Sequence, residues 1–280
     1  MGWLDRGAAK RRDPQLVLPG ARSVITLAVS YASDEPAHAT RNGSRGIIAR
    51  YARHADYHDI LADALKSLAG FVNGVGGTGT RTLWYVDTGP ILERDFAQRS
   101  GIGFFGKHTN VISRSLGNWI LLAEILTTLE LEPDSPEKNR CGSCTRCINS
   151  CPTGAITAPF QLDARLCISY LTIEFKGPIP VEMRPAIGDR IFGCDDCLAA
   201  CPWNRFAREG RLMSSNAKPE FATPELLALL ALDEVQFKRL FAGTPMLRTK
   251  RRGMLRNVCV ALGNMAGAEA LPALEKAGSD

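Results

Sequence analysis

CGSCTRCINSCP, residues 141–152, places Cys141, Cys144, Cys147 and Cys151 at the spacing C-x2-C-x2-C-x3-C and follows them with Pro152. A tight loop of this kind lets three thiolates face one [4Fe–4S] cube, while the fourth, turned by the proline, reaches a second cube. Zinc sites use separated cysteine pairs instead of three cysteines in seven residues. A second copy should lie downstream, and CDDCLAACP supplies it with Cys194, Cys197, Cys201 and Pro202. Its first ligand is missing, because Ile191 stands where the counterpart of Cys141 would be, and Cys167 is the replacement at hand. With ligation crossed between the two copies, Cys141, Cys144, Cys147 and Cys201 hold one cluster. Cys151, Cys167, Cys194 and Cys197 hold the other. The ninth cysteine, Cys259, falls on an apolar helix face and reads as structural.

Working outward, the rest of the composition is that of an ordinary soluble chain. Its 280 residues are 45% hydrophobic and 22% charged, which excludes a disordered or fibrous protein. The best apolar stretch, Trp119–Leu126, is short and interrupted by Glu124, so no membrane span is expected. Arg6, Lys10, Arg11 and Arg12 have no apolar core behind them and do not read as a signal peptide. The expected location is therefore the cytoplasm, where reducing conditions favour metal ligation over disulfides.

Three regions follow one another. Residues 1–131 alternate between strands and helices and imply an α/β domain. Ser23–Tyr31 and Arg81–Asp87 read as strands, Tyr57–Asn73 and Ile91–Ser100 as helices. Asn110–Ser113 and Asn118–Leu126 read as a hairpin turning at Leu116-Gly117-Asn118. Residues 132–208 form a ferredoxin-like domain for two clusters. Residues 209–280 turn helical, and their paired apolar stripes suggest a HEAT-like helical repeat.

Clusters pass single electrons but do not define a reaction, and the flanks carry further information. VDTGPILERDFAQRSGIGFFGKHTNVI (86–112), LDARLCISYLTIEFKGPIP (162–180) and IGDRIFGCDDCLAACPWNR (187–205) resemble epoxyqueuosine reductases. The resemblance runs from Met1 to the helices around Met254–Leu262. It implies a cobalamin-binding α/β domain beside the clusters, and an activity that removes the epoxide oxygen of epoxyqueuosine at the tRNA wobble position. Asp87, in VDTGP, matches the family's proton donor. Asp95 is the rival carboxylate, but ILERDFA reads as a surface helix. The cobalamin contacts implied by the resemblance are Arg11, Arg50, Asp87, Lys107, His108, Thr109, Ser169 and Asp195. DYHDIL (56–61) nearly matches a motif that supplies a lower cobalt ligand. It begins a helix and has Leu61 in place of the required glycine, so it is read as a false lead.

The overall charge of +5 is modest, yet from Gln236 to Ala268 there are seven basic residues and no acidic one. That stretch points to the tRNA backbone as partner. Lys250, Arg251, Arg252 and Arg256 are its candidate contacts, together with Lys176 in the FKGP loop. The chain is expected to act as a monomer fed by a separate electron donor. Two rival readings are a cobalamin-dependent reductase of small molecules such as organohalides, and a ferredoxin-like carrier with no catalysis of its own.

Overall fold

The computed structural model describes residues 5–34, 44–265, 267 and 270–277. Among the described residues the strands are β1 (Ser23–Ser30), β2 (Ile47–Ile48), β3 (Thr82–Tyr85), β4 (Phe104–Phe105), β5 (Val111–Ile112), β6 (Ile120–Thr127) and β7 (Arg190–Phe192). The chain divides into two compact units, each assembled from separated stretches. The first draws on Met1–Ser33, His58–Cys144 and Pro202–Met213, the second on Asp34–Tyr57, Thr145–Cys201 and Ser214–Asp280.

The consecutive segments 1–131, 132–208 and 209–280 are therefore not the compact units. Long-range backbone pairing is the cause. β2 pairs in parallel with β7, far along the chain, which draws residues around 47–54 into the second unit. Lys218 N–H donates to Arg53 O at 2.7 Å, and Asp56 N–H to Gly243 O at 2.8 Å. Conversely, the Ser30 hydroxyl donates to Arg208 O at 2.5 Å, returning the chain after the last cluster cysteine to the first unit.

The first unit is built on a three-stranded sheet of order β1-β6-β3. β6 lies in the centre, antiparallel to both neighbours, with Thr26 and Tyr85 flanking Glu124 in register. Leu18, Ile91 and Leu126 form a core on which Val24, Leu83, Tyr85 and Phe96 pack. The helix Tyr57–Gly76 buries Leu61, Leu65, Ala69 and Val72, one stripe at three- and four-residue spacing. Gly77, with φ of 72°, ends it in the left-handed conformation.

The hairpin expected over 110–126 is corrected. β5 pairs with β4, and β6 pairs with β1 and β3. Only the turn survives: Ser113 and Gly117 exchange backbone hydrogen bonds of 2.8 and 3.0 Å. Turn residues advertise a turn locally, whereas the partner of an apolar strand is chosen by the whole sheet.

In the second unit, Ile48, Ile191 and Phe192 share one core with Leu226, Leu229, Phe237, Phe241, Met246, Met254 and Val258. The helices Leu226–Leu230, Glu234–Leu240 and Lys250–Met265 thus close over β2 and β7 instead of stacking as a region of their own. Glu234–Leu240 begins at a reciprocal cap, in which Gln236 N–H donates to Asp233 Oδ1 at 2.7 Å and Asp233 N–H to Gln236 Oε1 at 2.9 Å. Among the described residues, no helix is long and apolar enough to cross a membrane.

Candidate functional site

Cys151, Cys167, Cys194 and Cys197 come together in the second unit. The Cys197 thiol is pushed well above its ordinary range by burial and then by the neighbouring Cys194, Cys167 and Cys151 sulfurs. Cys194 is pushed up to about 12, by burial and by Asp196. Buried thiols so crowded hold their protons unless a cation replaces them, and iron is such a cation. These four residues are the ones expected from the sequence to share the second cluster. Of the other set, Cys141 and Cys144 are neighbours in the first unit. Cys147 and Cys201 are both buried in the second. Among the described residues no three His, Cys, Asp or Glu side chains converge as ligands of a single ion do. A cube instead carries its thiolates on separate corners.

The loops around these cysteines are held by buried polar contacts. The Ser150 hydroxyl reaches both Cys147 O at 3.1 Å and Asp196 O at 3.2 Å, tying the turns of the two motifs together. Arg190 donates to Asp196 across 2.7 Å, with both side chains buried. Asp195 accepts the Arg50 N–H at 2.6 Å, and burial pushes its carboxyl up. Asn257, fully buried on the helix Lys250–Met265, donates to Thr172 O at 2.7 Å and Ile191 O at 2.8 Å. Residues Tyr170–Glu174 form a widened turn, closed by Phe175 N–H on Tyr170 O at 2.9 Å. Such turns concentrate at functional sites.

In the first unit, Asp87 follows β3 in the left-handed conformation, φ 56°, with an exposed side chain. A non-glycine residue held there marks a constrained turn. Gly89 is required within it, because a Cβ would run into the Tyr85 ring. Behind Asp87 lie two carboxyls that sequence reading passed over. Glu124 is fully buried on the central strand, and neither of its oxygens meets a conventional donor. Glu93 opens the helix Glu93–Arg99, and its carboxylate accepts the Asp87 backbone N–H. Burial pushes Glu124 up to about 9 and Glu93 up to about 7, each raised further by acidic neighbours. The available signal was Glu124 itself, an acid inside the apolar run Trp119–Leu126. Asp95, as expected, sits on the helix surface, paired with Arg99 at 3.1 Å.

The proposed cobalamin contacts are already engaged with the protein. Lys107 Nζ donates to Gly142 O and Cys144 O at 2.7 and 2.9 Å. His108 is buried, its Nδ1 accepts Asn110 N–H at 3.1 Å, and its Nε2 lies 3.3 Å from Asn118 Nδ2. Burial lowers its pKa to about 4, so the ring is neutral. Thr109 has φ 69°, and its carbonyl accepts Arg94 Nη1 at 2.6 Å. The Ser169 hydroxyl reaches Cys194 O at 3.4 Å, Arg50 is buried, and Arg11 is half-buried on the helix Ala8–Arg12. His58, in DYHDIL, lies inside the helix Tyr57–Gly76, which begins there as expected.

The basic residues divide into two kinds. Arg256 donates to Leu171, Phe175 and Gly177 carbonyls at 2.6–2.8 Å and so clasps the loop that carries Lys176. Arg251 Nε donates to Leu232 O at 2.6 Å. Lys176, Lys250 and Arg252 are exposed.

Thiols arranged for clusters, in a chain that also carries an α/β unit with a carboxyl-lined strand end, define an iron–sulfur oxidoreductase. Residues 140–204 match the 4Fe-4S double cluster binding domain. Residues 11–88 match a family described as Epoxyqueuosine reductase QueG. The chain is 43% identical to the epoxyqueuosine reductase of Xanthomonas campestris, covering 98% of this chain and 78% of that protein. It is 39% identical to the Escherichia coli enzyme, covering 94% of this chain and 70% of the relative. A solved epoxyqueuosine reductase with an epoxyqueuosine-modified tRNA-Tyr stem loop superposes with a TM-score of 0.87 at 35% identity, over 98% of this chain and 77% of that one. The chain belongs to the epoxyqueuosine reductase family.

Proposed function

We propose that this chain reduces epoxyqueuosine to queuosine at the wobble position of tRNA, with Asp87 as the proton donor. The observation that carries the reading is similarity over nearly the whole chain to a relative solved with the modified stem loop. Converting an epoxide to an alkene takes two electrons and two protons, and the oxygen leaves as water. The paired cysteine sets would hold two [4Fe–4S] clusters, relaying single electrons from an external donor. Cobalamin, when bound, would supply a reduced cobalt nucleophile able to attack an epoxide carbon.

The protein's own residues set the rest. Asp87, on a constrained turn at a strand end, presents its carboxyl outward and donates a proton to the opening oxygen. The loop 106–110 fits a corrinoid as a rigid frame: Lys107 and His108 are turned inward, which fixes its backbone and leaves Thr109 at its edge. Arg11, Arg50, Thr109, Ser169 and Asp195 are the residues that the family resemblance implies would hold it. Lys176, Lys250 and Arg252 offer exposed charge to tRNA phosphates, and the target nucleotide must leave its stack to meet Asp87.

Asp87→Asn tests the assignment. The variant should keep its iron and bind the stem loop as the parent does, yet lose turnover by about two to four orders of magnitude. An Asn variant as active as the parent would overturn the role.

A further inference from the structure

Two protons are consumed for each epoxide reduced, and one carboxyl carries one. A group within reach of Asp87 can supply the second without a wait on bulk water. This inference rests on the reading of Asp87 as the donor.

Glu124 is fully buried at the centre of the sheet, between Thr26 on β1 and Tyr85 on β3. Neither of its oxygens has an amine, amide or hydroxyl donor, and Glu93 Oε1 is likewise buried without one. The two carboxyls face each other, and both face Asp87. Glu93 is also bonded to the backbone N–H of Asp87, so it spans the distance between Glu124 and the turn. The groups around them are Tyr85 and Asp87 from β3 and its turn, and Glu93 and Arg94 from the following helix. Arg94 carries a positive charge that faces Glu93. Two adjacent buried carboxyls cannot both ionise, and one proton held between them satisfies oxygens that no other donor reaches. A charged residue in the middle of an apolar strand is otherwise a cost with no return.

We propose that Glu93 and Glu124 form a proton-sharing pair that recharges Asp87. Asp87 gives its carboxyl proton to the epoxide oxygen and becomes a carboxylate. One O–H bond of the pair then breaks, its proton passes through Glu93 to Asp87, and the reloaded acid donates the second proton as the oxygen departs in water. The pair, which begins the cycle with both carboxyls protonated, is left sharing one proton and regains the second from solvent between turnovers. The two electrons come from the external donor through the clusters. Both glutamates act on Asp87 and touch no substrate.

Infrared titration of the apoprotein, comparing the parent with Glu124→Gln and Glu93→Gln, tests the pair without any cofactor. The parent should retain a protonated-carboxyl band at pH 7 that Glu124→Gln loses, each variant keeping a native circular dichroism spectrum. On loaded enzyme, Glu124→Gln should slow turnover about ten- to a hundredfold, with its rate falling at lower pH than the parent's, while stem-loop affinity is unchanged. Absence of the band from the parent, or a folded Glu124→Gln with the parental rate and pH profile, would overturn the relay. Failure of the parent itself to form queuosine would instead strike the reading of function, and the infrared result would still stand or fall alone.

Discussion

Lys107 Nζ lies 2.9 Å from the carbonyl oxygen of Cys144 and 2.7 Å from that of Gly142. An ammonium held by two carbonyls fixes the loop that bears the first two cluster cysteines, and its charge favours ionised thiols beside it. A hydrogen bond to a charged group contributes about 1.5–3 kcal/mol. Lys107→Ala should therefore lower iron content after anaerobic reconstitution from about eight atoms per chain toward about four. Full iron together with lost corrinoid binding would return Lys107 to the contact role that family resemblance implied.

Asn257 is fully buried and serves two buried carbonyls, those of Thr172 and Ile191, which flank the turns of Cys167 and Cys194. Orphaning a buried carbonyl costs about 1–3 kcal/mol. Asn257→Ala should destabilise the fold by about 2–4 kcal/mol in denaturant unfolding. It should also increase the rate at which iron is lost to a chelator.

The raised glutamates make stability depend on pH with a definite sign. The folded protein binds protons that the unfolded chain has already released above the ordinary carboxylate range. The unfolding free energy then falls as pH rises, through about 7 for Glu93 and about 9 for Glu124. The melting temperature of the apoprotein should decline between about pH 5 and pH 9. Glu124→Gln, with no charge to bury, should flatten that decline. An equally steep profile in the variant would assign the slope to other groups.

Arg252 is proposed to bind RNA and Arg256 to hold structure, although both lie in the same basic stretch. Arg252 is exposed, whereas Arg256 holds three carbonyls of the 171–177 loop. Arg252→Ala should weaken stem-loop binding and reduce the slope of log affinity against log salt by about one. Arg256→Ala should first lower thermal stability.

The cysteine pattern was legible because metal ligation is local: thiol spacing within a loop decides which sulfurs share a corner set. Cys167 was proposed by elimination once Ile191 left a gap, and it lies beside Cys197. Strands and helices were legible from their periods, as Leu61, Leu65 and Val72 show. What pairs with what was not, since β2 meets β7 only through a register chosen by the folded core. The basic stretch was visible as charge, but which arginines turn inward depends on carbonyls some eighty residues away. Glu124 was passed over for the opposite reason: one acid in an apolar run looks like an interruption until its neighbours, Glu93 and Asp87, are placed beside it.

Nucleoside mass spectrometry tests the central claim most directly. The protein, reconstituted anaerobically with iron, sulfide and cobalamin, is incubated with a low-potential reductant and tRNA carrying epoxyqueuosine. The account predicts conversion to queuosine by the parent and none above background by Asp87→Asn. Epoxyqueuosine left intact by a parent protein that has retained its iron and corrinoid would contradict it.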